Sequence, residues 1–475
     1  MEMKKLILFL GFFIVLPNSH MFSQEEREQK KEPPLFMDDS GDEDYSYLKN
    51  EETASEYERM FAQGLKFIPL GTNKNAYLTL GGQYRPRFES TLNENYTEED
   101  DTYYSQRLNL HANLHLGKSI RVFADLFHGL TSGEGGRTLE DDELAFHQAY
   151  IEFTIPDKQN RFLLTFGRKQ LDYGAGRLVS RRDGPNMRRS FDLFKVDYLF
   201  NSNAIELFYG KEVQPEFDVF DNDFALFDSG SSDPSFWGIY TDFKVGKILG
   251  KTELYYLGFH SDFSSFSDLS GEETRHSIGI RRYGTLGKRM IFNTELVYQF
   301  GELGEATISA FNFEFDYKYV LIHTPWKPTF GLKFDYSSGD RDRGDDKLQT
   351  YSPLFVNPAL YSLAAVNTPV NLNGLHPNFK IYPFKDFSIY MDYAFFFRSS
   401  REDGLYTPPR FQIRTADSGS SAYIGSAFGL KILYEINRNI EFEWRSTYFI
   451  AGDFVKESGE SNNIFYTGPT LEFKF

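Results

Sequence analysis

From residue 76 to the end of the chain, apolar and polar residues alternate with a period of two, in one segment after another. A β-strand sends successive side chains to opposite faces, so each such segment carries one greasy face and one wet face. Read this way, strands fall at 76–89, 103–116, 120–127, 146–155, 162–171, 191–200, 203–211, 236–244, 252–259, 276–283, 290–300, 307–320, 327–337, 374–383, 386–398, 422–435, 440–450 and 463–475. That makes 18 strands, an even number. Bacterial outer-membrane barrels need an even number when both ends of the wall lie in the periplasm. Short turns at 117–119, 156–161, 201–202, 284–289, 384–385 and 436–439 contrast with long segments at 128–145, 172–190, 212–235, 260–275, 338–373 and 399–421. Short connections on one side and long ones on the other match periplasmic turns and extracellular loops. A soluble sandwich has no reason to keep that parity.

The faces follow from the alternation. In the first strand Leu78, Leu80, Tyr84 and Phe88 oppose Thr79, Gln83, Arg85, Arg87 and Glu89. In the second, Leu108, Leu110, Ala112, Leu114 and Leu116 oppose Arg107, Asn109, His111, Asn113 and His115. The twelfth sets Phe311, Phe313, Phe315, Tyr317 and Tyr319 against Asn312, Glu314, Asp316 and Lys318, and the seventeenth sets Ile440, Phe442, Trp444 and Tyr448 against Glu441, Glu443, Arg445 and Thr447. The last strand places Leu471, Phe473 and Phe475 opposite Glu472 and Lys474. An Arg or Lys on the lipid face near the midplane costs about 2–4 kcal/mol, so the charged sides belong to the lumen. Facing is ambiguous at 162–171 and 276–283.

Composition excludes several classes. The chain has 49 Phe and 30 Tyr, yet its mean hydropathy is −0.46. Half-lipid, half-water strands produce that combination. With no cysteine, disulfides, thiolate zinc sites and thiol catalysis are out. A net charge of −17 argues against nucleic acid as a partner. Lys4 and Lys5 before an apolar run at 6–16 read as a signal peptide over 1–23, too short to span a bilayer as a helix. Residues 24–70 are polar and acidic and read as a flexible, partly disordered periplasmic segment, with a short helix around 49–63; the barrel occupies 71–475. The acidic string at 340–346 (DRDRGDD) lacks calcium-loop spacing, and His111 and His115 read as wet lumenal histidines. No catalytic constellation, metal site or cofactor is expected.

Two stretches stand apart from the strand pattern. One runs FGRKQLDYGAGRLV from residue 166 and continues SRRDGPNMRRSFD to Asp192; the other joins DYSSGDR at 335–341 to TYSPLF at 350–355, with FRSSREDGLY at 397–406. With YLTLGGQYRPRFE at 77–89 and YFIAGD at 448–453, they resemble the alginate export family of outer-membrane barrels over roughly residues 65–475. The resemblance implies an all-β, 18-stranded antiparallel transmembrane barrel in the cell outer membrane of a Gram-negative bacterium. It also implies a lumen whose arginines pass an anionic polysaccharide or oligosaccharide. By motif match the pathway residues are Arg85, Arg87, Arg107, Arg168, Arg189, Asp192, Arg398 and Arg445. Guanidinium groups offer carboxylates paired hydrogen bonds that lysine cannot copy. Bracing of the wall by Arg–carboxylate pairs is the alternative role for each. Expected partners are the polysaccharide, outer-membrane lipid, the barrel assembly machinery and, for export, periplasmic polysaccharide-synthesis proteins. A general anion-preferring porin, an oligosaccharide uptake channel and a plugged structural barrel are the rival readings.

Overall fold

The computed structural model describes residues 36–49, 63–72, 74–134, 139–227, 234–245 and 250–475. The expected signal peptide and nearly all of the helix expected around 49–63 lie outside the described residues. Eighteen long antiparallel strands form one closed wall: β1 (Ala76–Leu92), β2 (Asp101–Leu116), β3 (Ile120–Glu134), β4 (Asp142–Asp157), β5 (Asn160–Lys169), β6 (Phe191–Phe200), β7 (Asn203–Glu212), β8 (Ser235–Lys244), β9 (Lys251–Phe266), β10 (Leu269–Leu286), β11 (Met290–Leu303), β12 (Ala306–Val320), β13 (Thr329–Ser337), β14 (Leu372–Phe384), β15 (Phe387–Arg398), β16 (Tyr423–Asn437), β17 (Ile440–Ala451) and β18 (Ile464–Lys474). Each strand pairs with its sequence neighbour, and β18 returns to β1. Closure leaves no strand edge in lipid, where an unpaired backbone amide or carbonyl costs several kcal/mol.

At the closing seam Gly82 and Phe475 exchange both backbone hydrogen bonds, at 2.9 and 3.0 Å. A Cβ on Gly82 would lie 2.6 Å from the Phe475 ring, so a glycine is required for this approach. The β1–β18 ladder is broken: partners are matched at 83–84, 87 and 90–92. Pro86 and Pro469 sit in this stretch and contribute no N–H.

The alternation holds. Leu110, Ile278, Leu296, Phe330 and Trp444 stand exposed on the outer wall, whereas Arg107, Asn109, Glu314 and Thr447 are buried inside. Two expected loops are strand instead. Residues 260–275 form the upper part of the β9–β10 hairpin, which turns at 267–268, and the 128–145 segment is largely the ends of β3 and β4. The sheet continues there above the lipid, where the outer row no longer needs apolar residues, so His260, Ser261 and Asp262 ended the visible pattern without ending the strand.

The apolar core lies inside the barrel. The 170–190 loop brings Leu171, Tyr173, Leu178 and Val179 against Phe191, Phe236, Tyr240 and Phe355. The 338–371 and 399–422 loops and the short helix Asp453–Glu457 pack around Phe396, Phe449 and Phe454. Residues 36–49 also fold within the wall, where Tyr45 and Leu48 pack with Phe67 and Tyr77. The free tail expected over 24–70 does not describe these fourteen residues, of which Tyr45 and Leu48 are buried.

An arginine-clamped loop in the lumen

Between β5 and β6 the 170–190 loop leaves the rim and crosses the lumen. Its tip, Asp183-Gly184-Pro185, meets the inner face of β1 and β2, because the odd-numbered positions of both strands point inward and three of them are arginine. Arg85 donates to the carbonyls of Asp183 (2.6 Å), Gly184 (3.0 Å) and Pro185 (3.0 Å). Arg87 donates to Gly184 O and pairs with Glu140 at 3.0 Å. Arg107, with no exposed surface, lies 3.0 Å from the Asp183 carboxylate; Arg188 approaches the same carboxylate at 2.5 Å. Burial pushes the Asp183 carboxyl up, but Arg188, Arg107 and Arg85 together outweigh it and hold it well below the usual range. Burial and the neighbouring Arg189 bring Arg182 down to about 9, still a cation at neutral pH.

The other half of the loop anchors across the barrel. Arg177 lies 2.8 Å from Glu314 and 3.7 Å from Glu295, on β12 and β11. Backbone bonds from Ser180 N to Phe355 O (2.8 Å), Phe355 N to Leu178 O (2.9 Å) and Asn357 N to Gly176 O (3.0 Å) join it to the 338–371 loop. Two loops thus make one partition, and it narrows the lumen.

The remaining sequence-predicted residues separate into three roles. Arg189 pairs with Glu212 (2.6 Å), donates to Ser180 O (3.0 Å) and lies over the Phe355 ring, which fixes the base of the inner loop. Arg398, at the outer rim, donates to the carbonyls of Arg401, Asp403, Gly419 and Ser421 and stacks 3.6 Å from the Phe454 ring centroid. It organises the 399–422 loop. Arg445 faces lumenal water with its side chain 29% exposed, beside Glu443.

Arg168 and Asp192 are not in the lumen. They are paired neighbours on β5 and β6, 2.8 Å apart, and Phe166 and Phe194, two residues away on the same strands, are exposed on the outer wall. Phe191 and Leu193 take the inward positions. The 213–234 loop folds back over this pair: Arg168 donates to Asp223 O (2.7 Å), Asp192 accepts from Ala225 N (2.8 Å), and Phe220 and Phe224 rest on Phe146 and Phe166. The pair braces an outer flap. The ambiguity over 162–171 is resolved by Phe166, which is exposed on the outer wall and shares a face with Arg168 because residues two apart do so.

From sequence, Arg181, Arg182 and Arg188 are loop cations that either fold into the mouth or stay solvated, and Asp183 is missed as a member of the clamp. The RRDGPNMRR string was the available signal, since four arginines around a Gly-Pro turn have little reason to avoid a charged lumen. Among the described residues, the Nε donors of Arg85, Arg87, Arg107, Arg181 and Arg182 are buried without a protein hydrogen-bond partner. These five lie on the inner loop or the wall it touches; the buried Nε donors of Arg414 and Arg445 lie elsewhere. No group of His, Cys, Asp and Glu suited to a metal ion occurs among the described residues.

A closed eighteen-stranded wall with an apolar exterior and a loop-constricted, charged interior defines a channel of the porin class, placed in the outer membrane of a Gram-negative bacterium. The chain belongs to the alginate export family, whose profile matches residues 76–467. Among solved structures, it is similar to OpdO of Pseudomonas aeruginosa, with 11% identity over 86% of this chain and 98% of that one and a TM-score of 0.56. OccK11 (OpdR) of Pseudomonas aeruginosa gives 12% identity over 87% and 98%, with a TM-score of 0.54. A BenF-like porin from Pseudomonas fluorescens Pf-5 gives 11% identity over 84% and 98%, with a TM-score of 0.53. These likenesses concern the fold. No curated protein sequence matches the chain.

Proposed function

We propose that the channel conducts an anionic polysaccharide or oligosaccharide of the polyuronate type, with the arginines at the inner loop as its selective contact. The observation that carries this reading is the convergence of Arg85, Arg87, Arg107 and Arg188 on the tip of the loop that narrows the lumen, with Arg181 and Arg182 beside it. A carboxylate-bearing chain supplies acceptors in the paired geometry that guanidinium prefers. Nearby Asp183, Glu140 and Glu472 keep any single site from holding the chain too tightly to release it. Arg445 extends the contact along the open wall.

Planar-bilayer recording tests this. Arg107→Glu lowers anion selectivity and weakens block by uronate oligomers. Arg168→Gln, on the outer wall, leaves the reversal potential where it was. Unchanged selectivity in Arg107→Glu refutes the assignment. High conductance without block by uronate oligomers identifies a general anion-preferring porin instead.

A further inference from the structure

Immediately to the periplasmic side of the inner loop, the lumen holds a piece of the chain itself. Residues 36–49 read FMDDSGDEDYSYLK, with five carboxylates at Asp38, Asp39, Asp42, Glu43 and Asp44. Asp39 accepts from Gln148 of β4 at 2.8 Å, and Asp38 lies 3.9 Å from Arg181 of the inner loop. Arg121 of β3 donates to Gly41 O, where the Tyr150 hydroxyl also approaches at 3.4 Å. Glu43 lies 3.9 Å from Lys66 and 3.6 Å from His111. A cavity between Phe36, Met37 and Asp38 on one side and Gln83, Asn109, Asp125 and Arg188 on the other separates this segment from the clamp. Arg181 of the inner loop, Lys66 and His111 therefore meet carboxylates carried on a peptide, at the level where cargo must pass.

We propose that residues 38–44 are a built-in competitor: a peptide polyanion that occupies the periplasmic half of the cationic passage until an anionic polymer displaces it. Three features support displacement over permanent plugging. The contacts of Asp38, Asp39 and Glu43 are electrostatic or hydrogen-bonded, the kind an incoming polyuronate replaces in kind. Gly41 sits so close to the wall that a Cβ would lie 2.9 Å from the Tyr150 hydroxyl, so the seat depends on one bare backbone position. Apolar anchors flank the acidic stretch, Phe36 before it and Tyr45 and Leu48 after it against Phe67 and Tyr77, so the carboxylates can leave as a loop between held ends. The proposal rests on the reading of the lumen as an anion passage.

Full-length channels, a deletion of residues 36–49, and the charge-neutral variant Asp38→Asn/Asp39→Asn/Asp42→Asn/Glu43→Gln/Asp44→Asn are compared in planar bilayers, with uronate oligomers on the periplasmic side. If the segment occupies the site about nine-tenths of the time, its removal tightens uronate block about tenfold, because apparent affinity scales with the free fraction. Both altered channels show that gain and conduct more. A synthetic peptide of residues 36–49 restores the full-length behaviour from the periplasmic side, and its neutral analogue does not. Equal uronate block in all three channels overturns the competitor while leaving the anion passage intact. Restoration by the neutral peptide as well as by the acidic one also overturns it, because bulk then suffices. Absence of uronate block in every channel removes the underlying reading, and the competitor with it.

Discussion

Asp183→Asn tests the clamp most directly. The substitution keeps the side chain's shape and removes the charge shared by Arg107 at 3.0 Å, Arg188 at 2.5 Å and Arg85 at 4.0 Å. A unit pair at 4 Å near a protein surface is worth about 4 kcal/mol before desolvation is counted. The Asp183 side chain keeps 43% of its surface in lumenal water, so screening reduces each pair well below that figure. The larger loss falls on Arg107, which has no exposed surface and keeps only Glu472 at 4.0 Å and Pro185 O at 3.4 Å. Leaving one partner of a buried pair unmatched costs about 3–5 kcal/mol; discounted for the wet side, about 2–3 kcal/mol remains. At 1.4 kcal/mol per decade, the undocked loop becomes about 30–100 times more populated. The chain has no cysteine, and a Cβ on Gly184 meets no atom within 4 Å, so Gly184→Cys places one reporter at the loop tip. Labelling by a charged thiol reagent accelerates by the same 30–100-fold in the Asp183→Asn background, with increased current noise. Equal labelling rates in the two backgrounds refute the clamp.

Two further predictions concern the rim and the wall. Asp403 accepts from Gly404 N, Tyr406 Oη, Thr350 Oγ1 and Asp340 N, which ties the 338–371 loop to the 399–422 loop. Burial pushes both carboxyls up, Asp340 to about 6. A raised folded value means each contribution is complete below about 4; that of Asp340 is lost as pH climbs through about 6, and that of Asp403 is lost in the same direction. Hydrogen exchange of these loops, corrected for intrinsic rate, therefore speeds up from pH 4 to 7, and Asp340→Asn flattens the trend; a flat wild-type profile contradicts the assignment. On β11, Leu296→Arg on the lipid face costs about 2–4 kcal/mol, while Glu302→Arg on the same outer row but above the membrane costs about 0–1. Urea midpoints of the liposome-inserted barrel check this, and equal shifts at the two positions refute the facing.

The wall was legible because lipid and water impose opposite demands on adjacent residues. Leu110 against Arg107 and Phe315 against Glu314 carry that demand in plain sequence. Above the lipid the demand ends, and β9 and β10 run on through His260 and Asp262 without a signature. Loop placement has no period at all, so the RRDGPNMRR string marked 170–190 as charged without saying that Asp183 would reach Arg107. Arg85, Arg87, Arg107 and Arg445 were rightly read as inward-facing. Arg189 and Arg398 instead serve loop architecture, and Arg168 with Asp192 belongs to the exterior. The acidity of residues 38–44 suggested solvent, yet a charged lumen accommodates carboxylates as readily as water does.

The interrupted β1–β18 ladder gives the cylinder a preferred line of parting. Every other joint is a hairpin between successive segments, whereas this one unites residues near 83 and 474 and lacks two amide donors at its prolines. Assembly must therefore finish there, after a search across nearly the whole chain that is intrinsically slow. Mechanical or thermal loosening starts along the same line, so the last bonds to form are the first to be given up.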